Sequence, residues 1–167
     1  MSSTRALKIN LGLLTLRLAI GLGLFLLHGQ AKLAGAWAYM FSGHDWPFVK
    51  VVAGIGFPAP GLFAVAAALS ESLGSLLVAA GLQTRVAASF VAFTMIVATS
   101  LHVSHGQSAE LAFLYLTPIL TLMLTGGGTY SLDAAMGAPR LMRPELVASA
   151  PTHRWWSRSE RNTPASE

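Results

Sequence analysis

The chain has 167 residues, 53% of them hydrophobic and 11% charged, against about 25% charged in ordinary soluble domains. With a mean hydropathy of +0.57, it carries too little polar surface to cover a water-soluble core, and a bilayer removes that requirement. No cysteine is present, which excludes disulfides, thiolate metal sites and thiol redox chemistry on this chain.

Four apolar stretches follow in chain order. Residues 11–27 are interrupted only by Arg17, 59–82 by Glu71, 86–103 end near His102, and 111–125 contain Pro118. A spanning helix takes roughly 17–25 mainly apolar residues. The fourth stretch reaches that length only with help from Ala109, Glu110 or the glycines after it. The first stretch has some outline of a signal peptide, with Arg5 and Lys8 ahead of it and Ala34-Gly35-Ala36 behind. Arg17 inside the apolar run speaks instead for a retained helix.

Between the first two stretches lies an outer loop, 30–58, holding Trp37, Tyr39, Phe41, Trp46 and Phe48. Such aromatics favour the membrane–water boundary, so part of this loop is expected to lie there as a short helix. Pro58 and Pro60 set the start of the second helix, where a missing N–H costs little. The short turn Gln83-Thr84-Arg85 makes a tight hairpin of helices two and three, and Gly126-Gly127-Gly128 ends the fourth. Residues 138–167 read as a basic, flexible tail, with Trp155-Trp156 placed to touch anionic lipid.

The basic residues are unevenly shared. Arg5, Lys8, Arg85, Arg140, Arg143, Arg154, Arg158 and Arg161 flank one set of helix ends, and Lys32 and Lys50 flank the other. By the positive-inside rule both termini are expected in the cytoplasm, and the pI near 10.0 needs no nucleic-acid partner. The expected fold is all-α: an integral membrane four-helix bundle over residues 1–137, with the lipid bilayer as its first partner.

Charges at membrane depth are costly unless paired. Arg17 and Glu71 are expected to differ in depth by roughly 6 Å at 1.5 Å per residue, which predicts a buried Arg17–Glu71 ion pair that either fixes helix register or belongs to a site where Glu71 moves protons or contacts a ligand. Arg17, Gly21, His28 and Lys32 share one stripe of helix one. Ala67, Gly74 and Ser75 neighbour Glu71, and small residues of this kind let membrane helices pack closely. Arg17, Glu71 and Lys32 thus form a candidate buried polar site. His28, His102 and His105, with Glu110, gather at the outer ends and could hold a metal, a haem or, as the favoured reading, the head group of a quinone or other polar-headed lipid. No metal site is assigned, and no sequence motif for nucleophilic catalysis or phosphate binding is present.

Several of these runs resemble the DoxX family of small membrane proteins. They are Arg17-Leu18-Ala19-Ile20-Gly21 through His28-Gly29-Gln30-Ala31-Lys32-Leu33, Gly56-Phe57-Pro58-Ala59-Pro60, Glu71-Ser72-Leu73-Gly74 with Gly81-Leu82-Gln83-Thr84-Arg85, and Gly126-Gly127-Gly128-Thr129-Tyr130-Ser131-Leu132-Asp133. The resemblance covers roughly residues 10–137. It implies a four-helix bundle in the bacterial inner membrane and a role as membrane subunit or anchor of a redox complex, either quinone-linked or acting in oxidative stress. It also carries over Arg17, Gly29, Lys32, Glu71, Gly74, Arg85 and Asp133 as family-style positions. Ser75 departs from it, standing where a second glycine is expected, which loosens the helix contact. The alternatives are a binding or transport protein for a small hydrophobic molecule, and a scaffold subunit. Homo-oligomers are compatible with such thin helices.

Overall fold

In the computed structural model, which describes residues 3–137, the described residues are helical or irregular and include no strand. The expected tail, 138–167, lies outside the described residues. Helix α1 (Ser3–Leu24) runs through a π turn (Phe25–Gly29) into α2 (Gln30–Ser42). Thr4–Ser42 is thus one apolar rod of 39 residues. At 1.5 Å per residue it is about 58 Å long, roughly twice the hydrocarbon thickness of a bilayer. It stops at Gly43, whose φ of +64° closes the helix in the left-handed conformation.

The segment expected at 30–58 as an outer loop with a short helix in part of it is more helical than that expectation. It is helical over Gln30–Ser42 and again over α3 (Pro47–Gly54). Aromatic content signals interfacial placement and carries no information on backbone conformation, and nothing between residues 30 and 42 breaks a helix. The turn before α3 is held by aromatic packing: Trp46 lies against Gly35, with Tyr39 and Phe48 at ring-centroid distances of 6.3 and 5.2 Å.

The second rod comprises α4 (Pro60–Leu69), a second π turn (Ser70–Gly74) and α5 (Ser75–Ala80). Then come α6 (Thr84–Ser104), α7 (Glu110–Thr125) and the short α8 (Leu132–Ala135). Among the described residues three rods are long and apolar enough to cross a membrane: Thr4–Ser42, Pro60–Ala80 and Thr84–Ser104. With 16 residues α7 is shorter.

The core holds Leu24, Val78, Val91, Met95, Ile119 and Leu122 among alanines of α6. Large apolar side chains point outward instead: Leu62, Phe90 and Leu124 are 69%, 63% and 71% exposed. That inverted surface suits lipid, not water. Between the first two rods the contact is backbone-close. Gly21 lies against the Ser75 carbonyl and Ala79, Gly29 lies against the backbone of Glu71 and Ser72, and a Cβ at either would overlap its neighbour. The two π turns touch each other there.

A π turn shifts backbone bonding from i→i+4 to i→i+5, so carbonyls near it need other donors. Ser75 Oγ donates to the Glu71 and Ser72 carbonyls at 2.6 and 2.8 Å, and Ser72 Oγ donates to the Ala68 carbonyl at 2.6 Å. Ser75 therefore does not loosen the contact. It is fully buried, and its hydroxyl supplies hydrogen bonds that a glycine there lacks.

At the end carrying the N-terminus, Arg17 is 2% exposed. Its guanidinium donates through Nη1 to the Gly127 carbonyl at 2.9 Å and through Nη2 to the Tyr130 carbonyl. The Asp133 carboxylate accepts from Gln83 N, Thr84 N and Thr84 Oγ1 at 2.7, 3.0 and 3.1 Å, placing an anion on the N-terminus of α6. Asn10 Oδ1 accepts from Thr129 N at 3.0 Å. The segment 126–133 is thus sewn to helix one and to the 81–84 turn. Arg17→Lys keeps the charge but loses the planar fork. It is expected to cost about 2 kcal/mol, the scale of a charge-assisted hydrogen bond, and to lower the thermal unfolding midpoint in detergent. An unchanged midpoint would contradict the clamp.

Candidate functional site: a buried ion pair between two cavities

The predicted Arg17–Glu71 pair is not formed. Glu71 pairs instead with Lys32, Nζ to Oε1 at 2.5 Å. The error lay in depth. Because helix one continues to Ser42, its Gly29 lies level with Glu71. Arg17, twelve residues earlier, is then about 18 Å away along the axis, and it reaches Gly81 and the 126–133 segment.

Glu71 sits in the second π turn and its side chain is 4% exposed, while that of Lys32 is 29% exposed. The extra residue of a π turn re-aims side chains, and such turns are frequent at functional sites. The Lys32 ammonium also lies 4.8 Å from the centre of the Phe48 ring, a cation–π contact that ties α3 to the pair. Among the described residues, Glu71 Oε2 accepts no hydrogen bond.

Two cavities meet at this pair. The larger, about 370 Å³, runs under α3 and between α4 and α6, with walls that include Phe48, Val52, Phe63, Ala67, Phe93 and Val97. Phe90 and Phe93 also line it and are 63% and 54% exposed, so it reaches the lipid-facing surface. Its polar lining is confined to Lys32, Glu71, His102 and the Ser70–Thr94 pair, whose hydroxyls are 3.1 Å apart. The smaller cavity, about 140 Å³, is lined by His28, Lys32, Glu71, His102 and Tyr115 together with apolar groups. Lys32, Glu71, Ala98 and His102 belong to both walls.

The structure thus brings together Lys32, Glu71, His28 and His102 of the predicted residues. His28 packs edge-on to Tyr115 at 5.8 Å, and His102 Nδ1 meets Gln107 Oε1 at 3.0 Å. His105 and Glu110 are exposed and line neither cavity. The helix ends at Ser104, and His105 Nδ1 lies 2.8 Å from the Leu101 carbonyl. No cluster of metal-ligating side chains occurs among the described residues. Sequence reading missed Tyr115 and Phe48. An aromatic residue on an apolar helix gives no sign that it faces an ion pair.

Removing one partner of a buried ion pair leaves an uncompensated charge. Lys32→Met and Glu71→Gln are each expected to cost about 3 kcal/mol, the lower end of that range because Lys32 is partly exposed. The double variant is expected to cost less than the sum by at least about 1 kcal/mol. Unfolding of all four proteins in one detergent checks this, and strict additivity would contradict a coupled pair. Comparison with known families finds a match to DoxX over residues 12–105, which runs from within α1 to the end of α6 and stops short of α7. This is a shorter span than the resemblance over 10–137. Comparison with curated proteins and with solved structures finds no match. The family match covers more than half of a chain whose three long apolar helices and lipid-suited surface are those of a membrane protein, and the chain belongs to the DoxX family.

Proposed function

We propose that this DoxX protein is a membrane subunit that holds a small, largely apolar molecule with one polar head. The class that fits best is a quinone, held as part of a quinone-linked redox complex. The observation that carries this reading is the placement of the Lys32–Glu71 pair at the end of an apolar cavity reaching the lipid-facing surface. A bilayer-dissolved molecule enters such a cavity laterally. Its ring and tail lie along Phe63, Phe93 and Val97, and its head carbonyl accepts a hydrogen bond from Lys32 Nζ or His102. A volume of about 370 Å³ is at the lower end of ordinary ligand sites, roughly 300–1,000 Å³. With no cysteine in the sequence, any thiol or persulfide step belongs to a partner protein.

The proposed setting is the bacterial inner membrane, with four spans and both termini in the cytoplasm. The described basic residues support this orientation, since Arg5, Lys8 and Arg85 lie at one end and Lys32 and Lys50 towards the other. The 16 residues of α7 amount to about 24 Å. As the fourth span it draws on Gly126–Gly128 and on local thinning of the bilayer.

Protein purified in mild detergent is expected to carry a quinone, detected by lipid extraction and mass spectrometry. Ala67→Phe, which fills the larger cavity, is expected to lower that content at least tenfold while leaving the melting temperature within a few degrees. Equal quinone content in both proteins would assign the molecule to bulk lipid. A different apolar molecule, lost from the variant, would favour the reading as a carrier or binding protein outside redox chemistry.

A further inference from the structure

The smaller cavity has no role in holding an apolar ligand, yet it shares the ion pair as a wall and adds His28 and Tyr115 to the polar groups of the site. We propose that it is a hydrated proton port for Glu71, so that a head group engaging Lys32 in the larger cavity is accompanied by uptake of a proton on Glu71. This rests on the reading of the larger cavity as a ligand site.

The two partners of the pair are held unequally. Glu71 is fixed within a backbone-close π turn, whereas Lys32 has a four-carbon stem and its side chain is 29% exposed. Lysine is therefore the partner that moves, and its second contact, the Phe48 ring, is a wall of the larger cavity. A head group that draws the ammonium off Glu71 Oε1 and into the larger cavity removes the counter-ion from Glu71. A bare carboxylate in an apolar interior is strongly disfavoured and takes up a proton instead. Lys32 and His28 from the first rod, His102 from α6 and Tyr115 from α7 line the smaller cavity with Glu71, and the α4–α5 rod itself carries no Lys, Arg or His.

The proton needs a route. About 140 Å³ is well above the roughly 10–15 Å³ that a cavity needs to hold one water. His28, His102 and Tyr115 supply the polar contacts such waters need. His102 touches both cavities, and its Nδ1 meets Gln107, which is exposed in the loop after α6. The transfer balances as a relay: an O–H bond on a water at the port breaks as one forms on the Glu71 carboxyl, an N–H bond of His102 breaks to restore that water, and His102 regains its proton from solvent at the Gln107 loop.

Infrared spectroscopy in lipid nanodiscs tests this without any ligand. Lys32→Gln protein at neutral pH is expected to show a protonated-carboxyl band that disappears in Lys32→Gln/Glu71→Gln. On transfer to deuterated buffer the band is expected to shift several-fold more slowly when His102→Leu is added. Acidified wild-type protein gives the same band and exchange should the lysine variant fold poorly. Absence of the band, or exchange unaffected by His102→Leu, would overturn the proposal. In a second arm, decylubiquinone is added to wild-type protein in weak buffer with a pH dye. Uptake of about one proton per molecule bound is expected, with Kd falling as pH falls by up to about tenfold per unit, and with neither effect in Glu71→Gln. Binding without proton uptake also overturns the proposal. A carboxyl band with normal exchange and no decylubiquinone binding leaves the port standing and sinks the quinone reading alone.

Discussion

The structure depends on one electrostatic constraint: Glu71 lies in the apolar interior and needs a cation. Lys32 meets it at 2.5 Å, and the surrounding features follow from bringing the two together. The glycine at position 29 lets helix one lie on the backbone of Glu71, the two π turns stand face to face, and Ser72 and Ser75 supply hydrogen bonds to carbonyls around the second turn. An apolar pair of similar volume would be no less stable. Keeping the charges at the junction of two cavities is what connects this arrangement to a site.

The two charges first singled out at membrane depth serve different ends of the molecule. Arg17 holds carbonyls of the 126–133 segment, and Asp133 caps α6, so the end carrying the N-terminus is a fixed base. Glu71 and Lys32 lie about 18 Å further along the axis, beneath α3 and beside the cavity that reaches lipid. A rigid base and a cavity-bearing opposite end are what the proposed capture of a bilayer-borne ligand would use.

Much of this was legible in the sequence. Apolar runs gave α4–α5, α6 and α7 to within a few residues, because hydrocarbon leaves helices as the way to satisfy the backbone. Glu71 stood out because a charge in an apolar run is expensive, Lys32 because it shares a helix stripe with Arg17 and His28, and His28 and His102 because histidines gather at the outer ends. The partner of Glu71 was misread because pairing depends on axial register. Register depended on where helix one ends, and an aromatic-rich segment gives no stop signal until Gly43. His105 and Glu110 shared composition with the site but fell beyond the helix end at Ser104. The π turns left no periodic mark. Ser75 was the nearest trace of one, and it read as a departure from a glycine.

The most direct test of the account is photo-crosslinking in nanodiscs with a short-tailed quinone carrying a diazirine on the tail, followed by peptide mapping. The account predicts labelling concentrated on the larger cavity, on Phe63, Ala67, Phe93 and Val97, and suppressed by excess unlabelled quinone. Labelling spread over Leu62, Phe113 and Leu124, without such competition, would show that the quinone samples only the lipid-facing surface and would contradict it.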